Sequence, residues 1–189
     1  MSEVHATPGT HTWEDFVALD EDDLRELIDG ELVEVEVPTK LHDYIVWMLS
    51  YHLAAWAMPR KAGYGVVSGV KVRISERRGV MPDLQFFRPE NPASKGDTAG
   101  LASGHPDLAV EVMSASSRRY DRVTKLAWYA SIGVPEYWIV DPGMRSIERL
   151  VLTGGKYLVD SAATDDDTFR PASFPDLAIP LAPLWTLPA

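Results

Sequence analysis

Leu108-Ala109-Val110-Glu111-Val112-Met113, then Arg119 to Ile132, then Glu136-Tyr137-Trp138-Ile139-Val140: the order of these three segments decides the fold. The first is apolar at every place but one, as in a strand covered on both faces. The second repeats Val123, Leu126, Ala127 and Ala130 at helical spacing, and Gly133 stands where a helix stop is expected. The third is a short buried strand closed by Asp141-Pro142-Gly143. Strand, helix and strand in that order need a parallel crossover, which predicts an α/β domain built on a mixed, α+β type sheet.

Upstream, Leu24, Leu27 and Ile28 lead into Asp29-Gly30 and then the alternating run Leu32 to Val37, a pattern that predicts an N-terminal β-hairpin. Before it, Thr12 is placed to cap a short helix through Trp13, Phe16 and Val17 to Leu19. Thr39 precedes a helix running to about Met58 and ended by Pro59 and the Gly63 region, with apolar surface wide enough to lie on a sheet. Strands are expected over Tyr64 to Ile74 and Gly79 to Arg88, and a long loop over 89–106, which is rich in Pro, Gly, Ser and Asn. Ile147 to Leu152 and Tyr157 to Val159, around Gly154-Gly155, predict a second hairpin; the Pro-rich tail from Pro171 has no assigned place. With no repeat and no linker, the chain divides into a loose arm, 1–12, and one domain, 13–189.

A length of 189 residues suits a single core, and 46% hydrophobic with 24% charged residues excludes disordered and fibrous classes. The absence of cysteine excludes disulfides, thiolate zinc sites and cysteine nucleophiles. Met1 to His11 carries no secretory signal, and the apolar stretch Tyr44 to Met58 is shorter than the roughly twenty residues that span a bilayer, so the expected location is cytoplasmic with no membrane partner. A net charge of −10 argues against a general nucleic-acid binder. Local charge softens this: Arg73, Arg77, Arg78 and Arg88 surround Asp83, and Arg118, Arg119, Arg122 and Lys125 follow Glu111, while the acidic excess lies in 14–36 and 160–167.

The pleat sends Glu111 to the same face as Ala109 and Met113, where an ionised carboxylate without partners costs several kcal/mol in practice. It must be paired, protonated or bound to a cation; the bland option is a salt bridge to an arginine such as Arg122. Asp83 follows Pro82, and on its own it reads equally as a turn former at a strand start. Together, two carboxylates from neighbouring strands can supply hard oxygen ligands to Mg²⁺, which keeps several waters and can activate one of them for attack on a phosphodiester. Asp121 and Lys125, four apart on the helix, read either as a surface ion pair or as a lysine that reaches Glu111 with Asp121 orienting it. The histidines show no paired metal spacing, and no nucleophile motif is present.

Asp29-Gly30-Glu31, His42, Pro82-Asp83, the run Pro106 to Ser114, Asp121 with Lys125, and Gly133-Val134-Pro135-Glu136-Tyr137-Trp138-Ile139-Val140-Asp141-Pro142 resemble the Uma family of restriction-endonuclease-like proteins over roughly residues 13–160. The resemblance implies a PD-(D/E)XK nuclease fold, with a restriction-endonuclease-like core behind an N-terminal hairpin and flanking helices. It implies Mg²⁺, or Mn²⁺, at Asp83, Glu111 and Val112, and site roles for Lys125, Asp121, Glu31 and His42. Met113 stands where the motif lysine usually falls, so Lys125 is the relocated equivalent.

The expected function is therefore a Mg²⁺-dependent endonuclease or phosphodiesterase acting on nucleic acid, DNA foremost. The alternative is a catalytically silent nuclease fold serving as a binding or assembly module, homo-oligomers included, through the apolar helix face near Trp47 and Trp56. A glycosidase-like carboxylate pair comes last, because nothing calls for sugar-stacking aromatics around it.

Overall fold

The computed structural model describes residues 9–20, 23–67, 69–95, 100–101, 104–114 and 117–188. Most of the expected N-terminal arm and parts of the 89–106 loop lie outside them. In the hairpin, β1 (Arg25–Ile28) and β2 (Glu31–Glu34) pair antiparallel around Asp29 and Gly30, whose φ values of 52° and 84° are those a two-residue turn of this hand requires. Ahead of it, α1 (Trp13–Val17) starts on a capping box in which Thr12 and Asp15 bond reciprocally.

The helix α2 (Lys40–Arg60) is capped by Thr39 and takes Pro59 into its last turn, later than its expected end near Met58. It stops where Lys61 turns left-handed and Gly63 follows at φ +122°, a place where a Cβ would come within 2.0 Å of the Phe87 carbonyl. Its inner face, with Ile45, Leu49, Leu53 and Trp56, is buried, whereas Trp47 and Tyr51 are exposed. The apolar surface expected near Trp47 and Trp56 is thus divided between core and solvent.

Each of the two strands expected over 64–88 is two strands in different sheets. β3 (Tyr64–Val67) and β4 (Lys71–Ser75) are separated at Gly69, which has φ +80°. β5 (Arg78–Val80) and β6 (Leu84–Phe87) are separated by Met81-Pro82-Asp83, where proline offers no N–H to a ladder. A short β7 (Gly100–Leu101) follows within the expected loop, then β8 (Leu108–Val112). The chain next makes a π-helical turn (Tyr120–Lys125) that runs into α3 (Leu126–Ile132), and β9 (Glu136–Asp141) completes the crossover. β10 (Ser146–Thr153) and β11 (Lys156–Thr164) form the second hairpin, and β12 (Thr168–Phe169) pairs with β13 (Ile179–Pro180).

The larger sheet has the order β11-β10-β9-β8-β6-β3, with β8 and β9 parallel and the other neighbours antiparallel; the smaller has the order β2-β1-β5-β4-β7. One face of the larger sheet, carrying Leu108, Val110, Val112 and Trp138, packs on α2 and on the tail, whose Phe174, Leu177, Ile179, Leu184 and Trp185 fill the same core. Trp56 anchors that tail by donating its indole N–H to the Pro175 carbonyl at 2.6 Å. The other face, with Ala109, Met113, Tyr137 and Ile139, packs against Trp128 and Tyr129 of α3 and Val72 and Val80 of the smaller sheet. Glu111, on the same face as Ala109 and Met113, therefore points between the two sheets.

Candidate active site

Glu111 is 3% exposed and sits one residue before the end of β8, paired on one side with β9. Lys125 Nζ lies 3.0 Å from Glu111 Oε1, and the Tyr129 hydroxyl donates to that same oxygen at 2.6 Å. Lys125 also reaches Glu26 Oε1 at 3.1 Å and Asp121 Oδ1 at 3.6 Å. An ammonium has three N–H donors, and three carboxylates surround this one. Asp121 and Lys125 are buried, so the surface-pair reading of their spacing does not describe them; Arg122, the bland partner considered for Glu111, pairs with Glu148 at 2.9 Å.

The π turn explains how residues four apart converge. In a regular helix each step of four residues overshoots a full turn by about 40°. In this segment the Leu126 N–H bonds to the Asp121 carbonyl five residues back, a wider turn that removes the overshoot before α3 resumes. Asp121, Lys125 and Tyr129 then share one side of the helix, facing β8.

Asp83 stands at the other border of the site. Met113 N–H bonds back to the Val140 carbonyl at 2.8 Å, so the preceding residue, Val112, turns its amide and carbonyl away from β9 toward the start of β6. There the Val112 N–H donates to Asp83 Oδ2 at 2.7 Å, and His42 Nε2 lies 3.2 Å from the same oxygen. Asp83 and His42 keep 23% and 15% of their side-chain surface, against 4% for Glu111, so the site opens on the Asp83 side.

The electrostatics follow from burial. Burial raises the Glu111 pKa well above the ordinary carboxylate value; Lys125 opposes the shift, and the charges of Asp83, Asp121 and Glu26 add to it. Burial works against the charge of Lys125, yet Glu111, Glu26 and Asp121 together hold its pKa well above the usual lysine range. Asp121 is shifted up by burial despite Lys125. For His42, burial favours the neutral ring, but the hydrogen bonds and charges of Asp83 and, to a smaller extent, Asp43 outweigh it, and the net shift is upward.

Of the residues singled out in the sequence, Glu111, Lys125 and Asp121 meet directly, and Asp83, His42 and Val112 join them through the Val112 amide. Glu31 does not: it is exposed at the start of β2, opposite Ile28. The acid that the hairpin brings to Lys125 is Glu26, which sequence reading passed over. Leu27 enters the cluster of Trp13 and Phe16, which leaves Glu26 and Ile28 on the opposite, inward face of β1. A glutamate two residues before an inward isoleucine was the available signal.

Both donors to Glu111 use Oε1 and both donors to Asp83 use Oδ2, so Glu111 Oε2 and Asp83 Oδ1 are the oxygens these contacts leave for a cation. Among the described residues no group of three or more acidic or histidine side chains is arranged to chelate an ion. The donor set, two carboxylates with the Val112 carbonyl beside them, fits a hard cation that retains much of its water, as Mg²⁺ does.

Two sheets that place a paired Asp and Glu and a helix-borne lysine at the end of a parallel crossover define a domain of the restriction-endonuclease-like class. The chain belongs to the Uma2 family, whose model, described as "Putative restriction endonuclease", matches residues 13–182. Among solved structures it is similar to "a putative nuclease belonging to DUF820" from Anabaena variabilis, with a TM-score of 0.71 and 15% identity over 92% of this chain and 97% of that one. At that identity the likeness establishes the fold. A comparison with curated proteins gave no match.

Proposed function

We propose that this protein is a Mg²⁺- or Mn²⁺-dependent endonuclease that hydrolyses phosphodiester bonds of nucleic acid, DNA foremost, in the cytoplasm. The observation that carries the reading is the Glu111–Lys125 contact at 3.0 Å beside Asp83, in a chain of the Uma2 family. Asp83, Glu111 and the Val112 carbonyl would hold the cation, which when bound supplies an activated water and neutralises charge on the phosphoryl oxygens. Lys125 orients the attacking water once one of its carboxylate partners lets go, Asp121 at 3.6 Å being the weakest held. Its positive charge offsets the negative charge growing on phosphorus. Asp121 and Tyr129 keep Lys125 and Glu111 in place, and His42 holds Asp83. Among the described residues no helix is long and apolar enough to cross a membrane, in keeping with an aqueous substrate.

One feature favours the second reading, a catalytically silent nuclease fold used for binding or assembly: Lys125 has as many carboxylate neighbours as it has N–H donors. Calorimetric titration with Mg²⁺ and Mn²⁺, followed by cleavage assays on plasmid and single-stranded DNA, separates the two. Cation binding by the wild type that is lost in Asp83→Asn, together with cutting, supports the nuclease; cation binding with no cutting of any nucleic acid leaves the silent module.

A further inference from the structure

We propose that Glu26 is a positioning residue of this site, holding Lys125 in place while fixing the segment that carries Asp83. For its kinetic consequence the proposal rests on the nuclease reading; for its structural one it does not. Glu26 is 1% exposed on β1, a strand paired on both sides by β2 and β5. Its Oε1 accepts the Met81 N–H at 3.1 Å and stands 3.1 Å from Lys125 Nζ. Met81 lies two residues before Asp83, in the Met81-Pro82-Asp83 passage between the two sheets. A single carboxylate oxygen therefore ties the lysine to the chain segment of the first acid.

The three partners of Lys125 are not equivalent. Glu111 is the one a cation would draw on, and Asp121 is the most distant, at 3.6 Å. Glu26, 3.1 Å from Nζ, is the partner that stays when Glu111 turns toward an ion. Its second oxygen, Oε2, is buried and makes no well-formed hydrogen bond, and the Tyr120 hydroxyl is in the same condition. The two residues are nonetheless close enough for the charge of Glu26 and a weak hydrogen bond to it both to add to the upward shift that burial imposes on Tyr120. Glu26→Gln therefore deletes the charge at nearly constant shape: an amide NH₂ in place of Oε2 can donate to the Tyr120 oxygen, and the remaining oxygen can still accept from Met81.

The test uses the full chain labelled with ¹⁵N-lysine. A buried ammonium held by three acceptors exchanges slowly enough to give its own signal, assigned by its absence in Lys125→Arg. Glu26→Gln is expected to shift or abolish that signal, and Glu31→Gln to leave it unchanged. At saturating Mn²⁺, Glu26→Gln is expected to lower kcat at least tenfold with KM within threefold and the number of bound Mn²⁺ ions unaltered. If Glu26→Gln fails to fold, Glu26→Asp, which keeps the charge on a shorter arm, carries the same comparison and should also shift the signal. An unchanged Lys125 signal overturns the proposal, and so does loss of a bound Mn²⁺, which would make Glu26 a ligand. If the wild type cuts no nucleic acid, the nuclease reading falls, while the ammonium signal still decides whether Glu26 holds Lys125.

Discussion

Replacing Lys125 with methionine removes the cation that three buried carboxylates share while keeping an unbranched side chain, one atom shorter. Glu26, Glu111 and Asp121 expose 2%, 4% and 3% of their side chains, so solvent does little to screen the charges left behind. Breaking a buried ion pair by deleting one partner costs about 3–5 kcal/mol. For a domain of this size that corresponds to a fall in Tm of roughly 6–20 °C. The pH dependence identifies the cause. Glu111 has a folded-state pKa above its ordinary value of 4.5, so above that pH the folded protein binds more protons than the unfolded one. Stability therefore falls as pH rises through that window, by at most about 1.4 kcal/mol per pH unit for one proton. Without Lys125 to oppose it the shift grows, and the deficit of Lys125→Met relative to wild type should widen between pH 5 and pH 8. Urea unfolding followed by tryptophan fluorescence measures it, and adding Glu111→Gln should recover a large part of the loss. A deficit under about 1 kcal/mol at pH 8, or one equal at pH 5 and pH 8, would refute the reasoning.

The His42 ring should titrate above 6.5 in the cation-free protein, because Asp83 and Asp43 together outweigh burial; NMR titration should find that value lowered in Asp83→Asn, where Asp43 is the remaining acid beside the ring. Since the folded pKa is raised, this pair stabilises the protein fully below pH 6.5 and ceases to do so as pH rises through the folded value. Glu31→Gln should change stability by no more than about 0.5 kcal/mol and leave cleavage and Mn²⁺ binding at wild-type levels. Gly79→Ala should cost about 1–3 kcal/mol in a thermal melt, because its Cβ would come within 2.7 Å of the Phe16 ring and 3.0 Å of Trp13.

The features legible in the sequence were those with local causes. Asp29-Gly30 demands positive φ, and the apolar run around Glu111 makes a charge conspicuous, so the hairpin, the crossover and the need of Glu111 for a partner could be read directly, whereas Lys125 as that partner was one of two readings until the family resemblance favoured it. Glu26 was not, because a strand of four residues is too short for alternation to stand out. Glu31 attracted attention by its place in a family pattern rather than by any physical demand. The strands over 64–88 were read as two because passage between sheets at Gly69 and Pro82 depends on partners far away in the chain. The π turn has no local marker of its own, and the buried tail needs knowledge of the groove that α2 and the larger sheet leave for it.

That wider turn separates reactivity from robustness. Val123 lies within it and is 59% exposed, so a chain lacking this single residue could wind into an ordinary helix with little loss of packing. Asp121 would nevertheless come to lie three regular residues before Lys125, about 60° short of the full turn that now aligns them, so it would stay a neighbour but swing off the line they share toward β8. An irregularity that looks like a defect of winding is thus a spacer whose length matters to the chemistry and hardly at all to the scaffold.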